Sequence, residues 1–220
     1  MSSISFNSSA GQASGYLARP KQGAKEGNAG VVVIQEWWGL VPHIKDVADR
    51  YASLGYVALA PDLYHGKSTV QSEEASHLMQ GLDWGRAAQE LSGAVKHLRE
   101  QEGCTKVGVT GFCMGGALTM IAAATAGIDA YAAYYGFPPK GAAPLEKITA
   151  PGLIFFGEKE DYFSIPDAQA FAKTQKECEV IVYPGAGHAF FNNERPEAYV
   201  ATAANDAWRR TLDLFGKHLK

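Results

Sequence analysis

Short, continuously apolar runs alternate with longer segments of helical period along most of the chain, and this alternation restricts the fold more than any other feature. Val31-Val32-Val33-Ile34 is followed by a loop and then residues 44–54. There Ile44, Val47, Ala48, Tyr51 and Leu54 keep the i, i+3, i+4 spacing of an amphipathic helix. Gly55 stops that helix, and Tyr56 to Ala60 form the next strand before Pro61. The pattern repeats with strands at 107–110, 130–135, 152–156 and 180–183, and helices at 84–100, 115–126, 166–176 and 196–217. A strand that is apolar on both faces has to be covered on both faces. The expected architecture is therefore α/β: one domain over residues 1–220, with a mostly parallel central sheet flanked by helices on both sides. Ser3 to Phe6 and Ser14 to Ala18 are expected to add an antiparallel edge hairpin. Residues 67–83 read as a loop with a helical piece, and residues 21–30 as a surface turn.

Composition removes several functional classes. The net charge is −3, so no electrostatic feature points to nucleic acid or an anionic membrane as partner. Three cysteines, Cys104, Cys113 and Cys178, are an odd number without metal-ligand spacing, which argues against a disulfide scaffold or a structural zinc site. The Ser-rich first fifteen residues lack the apolar core of a signal peptide, and no run approaches the ~20 apolar residues of a membrane span. A reduced, cytoplasmic, soluble protein is expected, as a monomer or small homo-oligomer. No cofactor or metal is expected, because neither nucleotide-binding glycine motifs nor ligand clusters occur.

Chemistry concentrates at a few strand ends. Gly111-Phe112-Cys113-Met114-Gly115-Gly116 lies between a strand and an apolar helix and matches the nucleophile elbow G-x-S-x-G, with Cys for Ser. Glycines permit a turn too tight for side chains, and the helix N-terminus that follows favours a thiolate or an oxyanion. A buried packing cysteine would give the same local sequence. Two further segments separate these alternatives. Phe155-Phe156-Gly157-Glu158-Lys159-Glu160-Asp161 places acids after one strand, and Gly185-Ala186-Gly187-His188 places a histidine after the last. Nucleophile, acid, histidine is the α/β-hydrolase order, and all three fall past the C-terminal strand ends. Cys113 is then the nucleophile, His188 the base, and Asp161 the acid that fixes the histidine, with Glu160 and Asp167 as nearby competitors. Gln35-Glu36-Trp37-Trp38-Gly39 follows the first strong strand. That loop and the residue after the nucleophile supply oxyanion-hole N–H groups in this architecture, here Trp37 and Met114.

Together with Ala60-Pro61-Asp62-Leu63-Tyr64, Tyr134-Tyr135-Gly136 and Tyr183-Pro184-Gly185-Ala186-Gly187-His188-Ala189-Phe190, these segments resemble the dienelactone hydrolase family of α/β-hydrolases. The resemblance implies hydrolysis of a carboxylic ester or lactone by a Cys–His–Asp triad of Cys113, His188 and Asp161. It also implies that Glu36 contacts the resting thiol and helps activate it. Family members that act on dienelactone hold its carboxylate with arginines. Here no Arg follows His188 before Arg195, and residues 67–83 contain none. The aromatic residues expected at the pocket are Trp38, Tyr64, Phe137, Phe190 and Phe191, which suit a more neutral or larger ester. Asp62 is assigned to bonding its own loop, and His43 to a surface or capping position. The contrasting readings are a small-molecule binding protein that keeps the fold without catalysis, and a cysteine peptidase.

Overall fold

A computed structural model describes residues 2–21 and 28–220. Most of the turn expected over 21–30, residues 22–27, lies outside the described residues. The described chain forms one eight-stranded sheet in the order β1-β2-β4-β3-β5-β6-β7-β8. The strands are β1 (Ser2–Ser8), β2 (Gly11–Ala18), β3 (Ala29–Ile34), β4 (Val57–Pro61), β5 (Lys106–Phe112), β6 (Ala130–Tyr134), β7 (Gly152–Lys159) and β8 (Cys178–Gly187). The hairpin β1–β2 joins β4 antiparallel, and the remaining strands run parallel. β3, β4 and β6 are buried along their whole length, which explains why their sequences are continuously apolar.

The helices are α1 (Pro42–Ser53), α2 (Ser72–Gln80), α3 (Trp84–Glu100), α4 (Met114–Thr125), α5 (Ile165–Ala172) and α6 (Ala201–Leu219). α1 buries Ile44, Val47, Ala48 and Tyr51, the stripe its spacing predicts. The Asp83 carboxylate caps α3 by accepting from the Arg86 N–H at 2.9 Å. α4 buries ten consecutive residues, Met114 to Ala123, against the sheet. Among the described residues no helix is long and apolar enough to cross a membrane.

Several features differ from the sequence expectation: β7 and β8 run on to Lys159 and Gly187, and α5 ends early, at Ala172. α6 begins at Ala201, five residues later than expected. The Arg195 carbonyl accepts from the Ala198 and Tyr199 N–H groups, and the Val200 N–H then returns to the Phe190 carbonyl. These bonds fold residues 195–200 into turns beside the sheet edge before the helix can start. His43 is 1% exposed rather than at the surface, with its ring set against Phe112 and Phe191. It lies on the same face of α1 as Val47, so the helical period itself carries it inward.

Candidate active site

The C-terminal ends of β3, β5, β7 and β8 converge on a cleft of about 370 Å³. Cys113 follows β5 directly and holds φ 57°, ψ −119°, a left-handed conformation that side chains rarely adopt. Backbone bonds maintain it. The Cys113 N–H donates to the Tyr134 carbonyl at 3.0 Å, and its carbonyl accepts from Gly116 at 2.8 Å. A β-carbon at Gly111 would overlap the Gly115 carbonyl, and one at Gly115 would stand 2.5 Å from the Gln35 carbonyl oxygen. The glycines on either side of the cysteine therefore permit the close passage of β5, α4 and the loop after β3. Met114 opens α4, so its N–H has no acceptor within the helix. Both Met114 and Trp37 line the cleft with Cys113.

His188 follows β8 immediately. Its Nδ1 lies 2.9 and 3.0 Å from the two carboxylate oxygens of Glu160. The acid paired with His188 is thus Glu160 and not the expected Asp161. β7 extends to Lys159, and the chain then turns so that the Glu160 carboxylate accepts the Tyr162 N–H at 2.9 Å. That turn buries the Glu160 side chain completely and leaves Asp161 exposed. The rings of Tyr135, Tyr162 and Phe163 surround the imidazole at 5.0, 4.7 and 5.9 Å. Burial of the imidazole opposes its protonation, but hydrogen bonding and charge attraction to Cys113 and Glu160 outweigh this and push its pKa up to about 10. The site therefore favours an imidazolium beside the sulfur. Cys104 differs: burial pushes its thiol up to about 12, as suits a packing residue.

Glu36 is 1% exposed at the wall of the cleft. Its Oε1 accepts the Tyr135 hydroxyl at 3.0 Å, and its Oε2 accepts the Asn192 amide at 2.7 Å. Asp62 accepts the Tyr64 and Gly66 N–H groups of its own loop, at 3.2 and 2.6 Å. His65 bonds the buried Glu90 at 2.9 Å, away from the cleft.

The cleft wall differs from the expected one. Trp38 lines it, together with Trp37, Met79, Trp84, Tyr162 and Phe163. Phe190 and Phe191 are 0% and 3% exposed core residues, Phe191 being stacked on Phe112 at 5.1 Å. They are drawn inward because the chain after His188 turns back toward the sheet, where Val200 pairs with Phe190. Phe137 packs on Phe171 of α5. The Tyr64 hydroxyl bonds the Met114 sulfur at 3.4 Å, and its side chain borders a neighbouring cavity of about 340 Å³. Sequence reasoning missed Met79 and Trp84, which lie in and after the helical piece of the 67–83 segment and carry no motif. It also missed Tyr162 and Phe163, although their position directly after the acid was a usable signal. Arg195 reaches the cleft as well, stacked over Trp38 at 4.8 Å and bonded to Glu197 at 2.8 Å.

Comparisons with known proteins agree with this fold. The model of the dienelactone hydrolase family matches residues 13–219. The chain is 35% identical to "Protein usf" of Aquifex pyrophilus, over 98% of each chain. It is 32% identical to an Aquifex aeolicus protein named "Putative carboxymethylenebutenolidase", over 99% of this chain and 98% of the other. A crystal structure from Klebsiella pneumoniae, titled "Putative Dienelactone Hydrolase", superposes with a TM-score of 0.81 at 26% identity, over 99% of this chain and 100% of that one. On this match of sequence and fold, the chain is a hydrolase belonging to the dienelactone hydrolase family.

Proposed function

We propose that the protein hydrolyses carboxylic esters or lactones through a thioester formed on Cys113, with His188 as the proton carrier and Glu160 as its orienting acid. The single observation that supports this most is the strained Cys113 beside a histidine whose other face is held by a buried carboxylate. Nδ1 faces Glu160, so Nε2 is the atom that serves the reaction. The sulfur enters the reaction as a thiolate beside an imidazolium that carries its proton on Nε2. The thiolate attacks the ester carbonyl carbon, and the oxyanion is received by the Met114 and Trp37 N–H groups. Collapse breaks the carbon–oxygen bond, and the imidazolium gives its proton to the departing alkoxide. In a lactone, that alcohol remains part of the acyl group. Water then attacks the thioester with His188 taking its proton, and the free acid leaves as the thiolate re-forms beside the imidazolium. Each group returns to its starting state.

The walls suit an uncharged, aromatic or bulky apolar ester. Three tryptophans, Tyr162 and Phe163 supply large apolar faces, and the charge of Arg195 is already paired with Glu197. A panel of esters and lactones, with and without a carboxylate, against the wild type and Cys113→Ala tests the reading. Turnover of uncharged members by the wild type alone is expected. Wild-type rates in Cys113→Ala would overturn it.

A further inference from the structure

A second cavity, of about 340 Å³, lies between the loop after β4 and helices α2 and α3. Its size falls within the ~300–1,000 Å³ of small-molecule sites. Leu63, Tyr64, Leu78, Leu82 and Ala87 form its apolar wall. Leu78 of α2 faces this cavity while its neighbour Met79 faces the cleft, so α2 separates the two. The polar side is charged, and its charges are unequally engaged. Glu90 is 1% exposed, and its Oε1 accepts the Arg86 Nε–H at 2.8 Å and lies 2.9 Å from His65 Nε2. Asp83 caps α3. Both acids on the wall thus have partners, and two of the cations have donors to spare. Among the described residues the Arg86 guanidinium bonds through Nε alone, and the Lys67 ammonium bonds nothing. His65 reaches Glu90 from a left-handed backbone at φ 52°, in a turn that Asp62 holds by accepting the Tyr64 and Gly66 N–H groups. A guanidinium fixed at Nε by a buried carboxylate presents its two terminal nitrogens as a fork of set direction.

We propose that this cavity is a second binding site, for a small aliphatic carboxylate held by Arg86 and Lys67 at the rim and by the leucines below. The terminal nitrogens of a guanidinium match the two oxygens of a carboxylate, and the lysine adds a point charge. The two acids on the wall do not repel such a ligand, because Arg86 offsets the Glu90 charge and the N-terminus of α3 offsets that of Asp83. Lys67 is the charge left over. The hydrocarbon body of the ligand displaces water from Leu63, Leu78 and Leu82. Inorganic phosphate meets the same cations but leaves the leucine wall wet. No residue lines both this cavity and the cleft of Cys113, so the proposal stands independently of the proposed function.

The test is a titration with sodium hexanoate, followed by NMR of isotope-labelled leucine and methionine methyl groups. It needs no turnover of any ester. Saturable shifts of the Leu63, Leu78 and Leu82 methyls are expected, larger than any at Met79 in the cleft. Hexanol has the same chain without the charge, and should bind there about tenfold more weakly, as the loss of a charge-assisted hydrogen bond implies. Inorganic phosphate lacks the chain, and should also be about tenfold weaker. Arg86→Gln should weaken hexanoate about tenfold and leave hexanol unchanged. Lys67→Gln keeps the Arg86–Glu90 pair and should weaken hexanoate about two- to fivefold, the scale of an exposed ion pair. Should Arg86→Gln fail to fold, Lys67→Gln carries the test. Absence of saturable shifts at the three leucines, shifts confined to Met79, or hexanol or phosphate binding as tightly as hexanoate would overturn the proposal. So would unchanged hexanoate binding in the folded variants.

Discussion

His188 Nδ1 is held by both carboxylate oxygens of Glu160, at 2.9 and 3.0 Å, while the adjacent Asp161 faces solvent. Two neighbouring acids thus occupy opposite sides of one turn, and only one can orient the histidine. Glu160→Gln keeps the size of the side chain and removes its charge. It is expected to lower kcat by roughly 10²- to 10⁴-fold, the range in which loss of an orienting acid falls. Asp161→Asn should stay within about twofold of the wild type, since surface changes away from the site have small effects. Steady-state kinetics on one activated ester check both, and the reverse ranking would return the role to Asp161.

The raised pKa of His188 carries a stability consequence. The unfolded imidazole titrates at 6.5 and the folded one at about 10, so the folded protein holds a proton that the unfolded chain sheds above 6.5. This contribution is whole below pH 6.5 and is lost as pH rises through about 10. Thermal melts of the wild type should therefore fall relative to His188→Gln as pH increases across that window. Parallel curves for the two proteins would show that no such proton is held.

Trp84 enters the cleft from the first residue of α3, with Met79 of α2 beside it on the wall. Trp84→Ala should raise KM for naphthyl esters about tenfold, consistent with ~1.5–3 kcal/mol for burying a large apolar group. The kcat/KM of a methyl ester should change less than twofold. Equal losses on both substrates would mean that Trp84 supports the fold and does not contact substrate.

The elbow makes a prediction about folding. Gly111→Ala places a methyl group against the Gly115 carbonyl, where backbone leaves no room. A loss of about 3 kcal/mol or more is expected by denaturant titration, at the upper end of overpacking costs. A loss under about 0.5 kcal/mol would mean that the turn relaxes freely.

Much of this was legible in the sequence because the strands are buried on both faces and so spell out continuous apolar runs. β3 and β4 could be bounded within a few residues for that reason, and the edge hairpin by its alternation. The positions of Cys113 and His188 were legible because each directly follows a strand at a glycine-rich turn. The choice between Glu160 and Asp161 was not, since it depends on where β7 ends and on a hydrogen bond to the Tyr162 N–H. The cleft wall was harder still. Phe190 and Phe191 follow the histidine and look like lining, yet the return of Val200 to Phe190 draws that segment into the core. Trp84 and Met79 belong to a segment whose pattern says only that a helix is present. His43 resembled a helix-start polar residue, and only the packing of α1 reveals that it lies against Phe112.

The central claim is that the acyl group is carried by the Cys113 sulfur, and intact-protein mass spectrometry after rapid acid quench of a reaction with an activated ester tests it most directly. The account predicts a mass increase of one acyl group in the wild type, mapped to the peptide containing Cys113. It also predicts accumulation of that species in Glu160→Gln if deacylation slows more than acylation, and its absence in Cys113→Ala. An acyl group found on another residue, or ester turnover by Cys113→Ala at the wild-type rate, would contradict it.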